Sequence, residues 1–168
     1  MKTLFISLLV LFNSLGDIPN KPVEKVDVKR FAGKWYSLYS IPTMFDKGTR
    51  ETTAYYNLNK DGYYNVLTTA KKGDDNELHT YTSKLFPEND GNAAEMKAQF
   101  VWPIKISYWV IDIAPDYSYV VVGHPDHKFL FIMSRKPSMD KNTYEQIIQK
   151  CKAMGYAVNE LTCQEHKG

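Results

Sequence analysis

Apolar and polar positions alternate in short runs through the middle of the chain, and each run is broken by Gly, Pro, Asp or Asn. Short runs with period-two alternation, bounded by such residues, read as β-strands. Eight follow one another, at residues 35–41, 52–58, 63–70, 78–86, 93–101, 106–113, 117–123 and 128–134. Pro42 stops the first strand, Asp61-Gly62 supplies the positive φ of a tight hairpin, and Pro103 and Pro115 mark later turns. After Met139 the period changes. Tyr144, Ile147, Ile148, Cys151 and Met154 recur at helical spacing, with Asp140 at the N-cap position and Gly155 at the C-terminal end. A short extended piece at 161–164 follows the helix.

The expected fold class is all-β. Eight antiparallel strands in sequence close into an up-and-down β-barrel, which leaves no free sheet edge. Eight strands enclose an interior wide enough for one small ligand. The C-terminal α-helix packs outside. Strand counting then assigns the loops to two ends. Loops 43–50, 71–76, 102–106 and 124–127 share the top, while turns 59–62, 87–91 and 114–116 share the bottom with the chain's exit at Arg135. Trp35, Asp116, Tyr117 and Arg135 therefore converge at one end. A guanidinium over an indole there contributes about 0.5–2 kcal/mol to closing the barrel. Parity places Asp112 with Tyr108 and Val110 on the inner face, where a buried carboxylate requires a partner or a raised pKa.

Residues 1–16 read as a secretory leader. Lys2 is followed by an apolar stretch at 4–12, too short to span a bilayer, and Ser14-Leu15-Gly16 offers small residues for cleavage. Residues 17–168 are expected to form one domain in an exported protein, periplasmic or secreted. Hydrophobic residues make up 43% of the chain, enough for a core, and the 12 tyrosines suit strands. The formal charge of +2 is scattered, without the one-sided basic stripe that nucleic-acid binding requires. Export permits a disulfide between Cys151 and Cys163, which would stabilise by roughly 2–3 kcal/mol. His124, Asp126 and His127 sit in a Pro-interrupted hairpin and carry no metal-ligand spacing, so no metal is expected. No strained nucleophile turn and no phosphate-binding glycine loop marks an enzyme or a cofactor.

Gly33-Lys34-Trp35-Tyr36 resembles the first signature of the lipocalin family. Pro115-Asp116-Tyr117 resembles the second, with Pro in place of the usual Thr, and Arg135 in Ser134-Arg135-Lys136-Pro137 resembles the third. Further stretches, Thr53-Ala54-Tyr55-Tyr56-Asn57-Leu58 and Phe129-Leu130-Phe131-Ile132-Met133-Ser134-Arg135, are most similar to the branch of bacterial outer-membrane lipocalins, temperature-induced lipocalins and apolipoprotein D. The resemblance implies a carrier of fatty acids, lysophospholipids or similar amphiphiles. It also implies a closed end built by Gly33, Trp35, Asp116, Tyr117 and Arg135. Alternation combined with the resemblance selects Tyr39, Ile41, Phe45, Val66, Thr68, Phe100, Trp102, Tyr108, Phe129 and Phe131 as cavity-lining candidates near the open end. Bacterial members of the branch are often lipid-anchored through a cysteine at the cleavage site. None occurs between Met1 and Val23, so a bacterial protein of this sequence is expected to be released soluble, with membrane contact left open and no anchor. Lipocalins with isomerase activity use a thiol inside the barrel, whereas both cysteines here follow the last strand. A lipid-acting enzyme on the same barrel, or a protein-interaction module, are the alternatives to the carrier; oligomeric state is open.

Overall fold

A computed structural model of the protein describes residues 18–44 and 46–166; the expected leader and Phe45 lie outside the described residues. Eight strands run in sequence: β1 Gly33–Ile41, β2 Thr49–Leu58, β3 Tyr64–Lys72, β4 His79–Asn89, β5 Asn92–Val101, β6 Ile104–Ile113, β7 Tyr119–Gly123 and β8 Leu130–Ser134. Each pairs antiparallel with the next, and β1 pairs with both β8 and β2, so the barrel closes. A helix, α2, spans Lys141–Ala153 after a one-turn helix, α1, at Val28–Phe31. Asp140 caps α2 by accepting the Thr143 N–H at 2.9 Å, and Gly155 leaves it at φ +91°.

Two apolar clusters hold the fold. One fills the barrel's interior around Phe31, Trp35, Tyr64, Met96 and Val110. The other lies outside the wall, where Ile147, Cys151 and Met154 of α2 and Tyr156 beyond it cover Ile111, Val121, Leu130 and Ile132. The central strand β7 is thus buried on both faces. Gly123 ends it because a Cβ there would fall 2.1 Å from the Tyr156 hydroxyl oxygen. α1 was not apparent in the sequence, since four residues are too few to show a period. Asp27 caps it with its carboxylate on the Lys29 and Arg30 N–H groups. β7 begins two residues later than the alternation suggests. Tyr117 adopts φ +63° and belongs to the preceding turn, where its N–H donates to Ala114 O.

Bulges correct three inward assignments. Shifting a strand by one residue moves its side chains to the other face. The register of β1 against β8 shifts between Ser37 and Tyr39. Tyr39 therefore faces out and stacks on Tyr144 of α2, 4.2 Å between centroids, and Ile41 joins the outer cluster. A second shift, between Val110 and Asp112, turns Asp112 out of the barrel. Its carboxylate accepts from Lys150 Nζ at 2.6 Å and from the Tyr119 hydroxyl at 3.4 Å.

The tail completes the wall. β1 pairs with β2 only between Gly33↔Tyr56 and Tyr36↔Thr53. Above that, a two-residue strand, β9 at Thr162–Cys163, pairs with Tyr39 and Ser40. Gln164 then bridges the two sides: its N–H donates to Leu38 O, and its side-chain oxygen accepts the Thr52 N–H.

Candidate ligand-binding cavity

The closed end is built around one cation. The Arg135 guanidinium lies 3.6 Å from the Trp35 ring centroid. It donates to the carbonyls of Arg30 at 2.7 Å, Lys34 at 2.8 Å, Ala32 at 2.9 Å and Phe31 at 3.2 Å. Trp35 Nε1–H donates to Phe31 O as well. Gly33 adopts φ +98°, and a Cβ there would stand 3.3 Å from Arg135 Nη1, so this position favours glycine twice over. Tyr117 joins from the β6–β7 turn: its hydroxyl accepts the Asp27 N–H, and the Arg30 guanidinium covers its ring at 3.9 Å. Asp116 stabilises that turn through the Ser118 N–H.

Above this floor the interior opens into a cavity of about 510 Å³. That volume falls within the usual range for small-molecule sites, about 300–1,000 Å³. At its base the hydroxyls of Tyr56 and Tyr108 meet at 2.7 Å, next to Met133. Burial pushes the Tyr56 phenol up to about 12 and raises Tyr108 well above its ordinary value, so both stay neutral dipoles at physiological pH. The walls are apolar at Ala54, Val66, Leu85, Ala98, Phe100 and Phe131. The upper lining carries hydroxyls, among them Thr49, Thr52, Thr68, Thr80 and Thr82. Asp46 is the single charged residue in the lining among the described residues. Its carboxylate accepts the N–H and hydroxyl of Thr43, while burial raises its pKa.

Of the ten candidates read from the sequence, Val66, Thr68, Phe100, Tyr108 and Phe131 border this cavity. Tyr39 and Ile41 do not, because of the bulge in β1. Phe129 is inward but fully packed, stacked on Phe131 and against Tyr108 and His124. Trp102 sits at the β5–β6 turn, beyond the last pair of the hairpin, Val101↔Ile104, and is 82% exposed. Phe45 lies outside the described residues. Alternation alone missed the contribution of β4, Thr80 to Ser83, since that strand carries few apolar residues.

The two histidines of the β7–β8 hairpin bond within the scaffold. His124 Nδ1 accepts the Asp126 N–H, and His127 Nε2–H donates to Met154 O at the end of α2. The expected disulfide is not seen: both thiols are free. Cys151 is buried beneath α2, with its thiol pushed up to about 12, chiefly by burial. Cys163 is exposed and pairs in register with Tyr39, whose ring lies on Tyr144. Tyr144 precedes Cys151 by two turns, about 10 Å along a helix axis.

Residues 26–166 match the lipocalin-like domain. The chain belongs to the lipocalin family. Members of that family bind small hydrophobic ligands, in keeping with an apolar cavity above a closed floor. Temperature-induced lipocalin-1 of Arabidopsis thaliana is 33% identical over 148 residues, covering 83% of this chain and 78% of that protein. The outer membrane lipoprotein Blc of Vibrio cholerae is 28% identical over 165 residues and 96% of each chain. Among solved structures, insecticyanin of the tobacco hornworm Manduca sexta superposes with a TM-score of 0.67 at 20% identity, covering 90% of this lipocalin and 87% of that chain. That likeness concerns the fold.

Proposed function

We propose that this lipocalin is an exported carrier that holds the hydrocarbon of a fatty acid, a lysophospholipid or a similar amphiphile in the barrel, and that it is not an enzyme. The observation that carries the reading is the 510 Å³ cavity with an apolar wall, a neutral pair of tyrosines at its base and hydroxyls toward its mouth. Each methylene moved from water into such a wall contributes about 0.8 kcal/mol before the costs of association. Asp46 disfavours a carboxylate deep in the mouth, so an anionic head stays at the rim, where water solvates it. Export rests on the leader-like residues 1–16 and on the relatives, one of which is an outer membrane lipoprotein.

Titration of the protein with palmitate and with palmitoyl lysophosphatidylcholine, followed by intrinsic fluorescence, tests this. Saturable one-to-one binding is expected, and Ala98→Trp, which projects an indole into the cavity, is expected to weaken it. Absence of saturable binding to either lipid would refute the carrier reading.

A further inference from the structure

The barrel wall is incomplete between β4 and β5. β4 is paired to β3 without interruption from Tyr64↔Leu85 to Ala70↔His79. Its pairing with β5 starts only at Lys84↔Gln99 and runs downward. Residues 79–83 therefore have a ladder partner on one side alone. The β5–β6 hairpin turns at Val101↔Ile104, short of the height that the β3–β4 hairpin reaches.

The cavity extends into this notch. Side chains along a strand alternate between faces, yet four consecutive residues, Thr80, Tyr81, Thr82 and Ser83, all border the cavity. Side chains and open backbone together give such a run, which places the unpaired, β5-facing edge of β4 on the cavity. Thr80, Tyr81 and Thr82 are all exposed, as that geometry requires. On the outer wall a groove runs past Tyr55, Leu67 and Trp102. The groove and the cavity share Val66, Thr82, Ser83 and Phe100. The groove's large apolar side chains stand on the water side of the barrel, Tyr55 at 53% and Leu67 at 45% exposure. The comparable break between β1 and β2 is closed by β9 and Gln164. No described segment closes the β4–β5 break.

We propose that the notch is a side exit for hydrocarbon, and that the lipocalin accommodates a two-chain lipid, with one acyl chain in the cavity and the second in the outer groove between Tyr55, Leu67 and Trp102. This rests on the carrier reading and extends it from one chain to two. Continuity with the cavity selects the occupant. A chain leaving the interior passes Val66 and Phe100, which border both cavity and groove, and reaches Tyr55, Leu67 and Trp102, with Asn57, Asn65 and Gln99 along the groove's polar side. The lipid's ester-bearing backbone lies at the notch, beside the hydroxyls of Thr80, Thr82 and Ser83. Among the described residues Lys84 is the single charged one bordering the groove, so little there favours a charged partner.

The test incubates the protein with phosphatidylcholine vesicles whose lipid carries bromine on its second acyl chain. The protein is re-isolated by gel filtration, and its bound lipid and Trp emission are measured. Palmitoyl lysophosphatidylcholine is the single-chain control. The expected result is one diacyl lipid per protein, with quenching that largely disappears in Trp102→Phe. Leu67→Glu is expected to weaken diacyl binding by about tenfold or more, since a charge then lies where the chain would lose its water, and to leave lysolipid binding unchanged. Retained lysolipid binding also shows that the variant is folded. Lysolipid binding without diacyl binding overturns the proposal and leaves the carrier reading intact. Diacyl binding that neither quenches Trp102 nor responds to Leu67→Glu overturns the groove's role. Concentration-dependent dimerisation that shields Trp102 while diacyl lipid is not retained assigns the groove to a second copy, and overturns the proposal as well. Failure of both lipids to bind removes the carrier reading itself.

Discussion

Replacing Arg135 isolates what the closed end contributes. Arg135→Ala removes a guanidinium stacked 3.6 Å from the Trp35 centroid and four donated hydrogen bonds. The stack contributes about 0.5–2 kcal/mol. The hydrogen bonds are discounted, because the guanidinium is only partly buried and Phe31 O keeps the Trp35 Nε1–H as a donor. The Arg30 and Lys34 carbonyls are exposed and regain water, which leaves Ala32 O as the one part-buried acceptor without a donor. Taking about 1 kcal/mol for it, the loss totals about 1.5–3 kcal/mol. A chain of this length loses about 2–4 °C of Tm per kcal/mol, so a fall of about 5–10 °C is expected. Arg135→Lys is expected to recover less than half of it, because an ammonium keeps the charge but lacks the planar fork that reaches several carbonyls at once. Urea and thermal unfolding of wild type, Arg135→Lys and Arg135→Ala provide the measurement, with palmitate titration well below each Tm beside it. Affinity should be unchanged, since the cavity lies above this floor. An alanine variant within about 0.5 kcal/mol of wild type, or a lysine variant equal to wild type, would refute the reasoning.

Tyr56→Phe and Tyr108→Phe should each cost about 1–3 kcal/mol, because each strands a buried hydroxyl now bonded at 2.7 Å, and the double variant should cost less than their sum in urea unfolding. Acid unfolding should depend on Asp140. The Thr143 hydroxyl and then its N–H hold that carboxyl below its ordinary 3.8. Its stabilising contribution is therefore complete above 3.8 and lost as pH falls through the lowered folded value. Asp140→Asn, which still caps the helix, should flatten the acid limb of stability against pH, and an unchanged limb would contradict this. An aromatic disulfide reagent should titrate one thiol in the native protein, Cys163, and a second, Cys151, only in denaturant. No reaction before reduction would restore the disulfide.

The β-content, the number and order of strands, the outer helix with its Asp140 cap, and the two ends of the barrel were all legible in the sequence. Each depends on local signals, namely period-two alternation, turn residues such as Asp61-Gly62, and helical spacing after Met139. The convergence of Trp35 and Arg135 followed, because an antiparallel meander alternates ends with every strand. Which face each residue takes was less secure. A bulge inserts one residue without a compositional mark and reverses everything beyond it, so Tyr39, Ile41 and Asp112 lie outside rather than in. The cysteines could not be placed by spacing alone, because their separation depends on where β9 docks against β1. The notch was hidden for a similar reason. Whether β4 and β5 stay paired to the rim depends on the relative heights of two hairpins, and that comparison exists only once all eight strands have closed on one another.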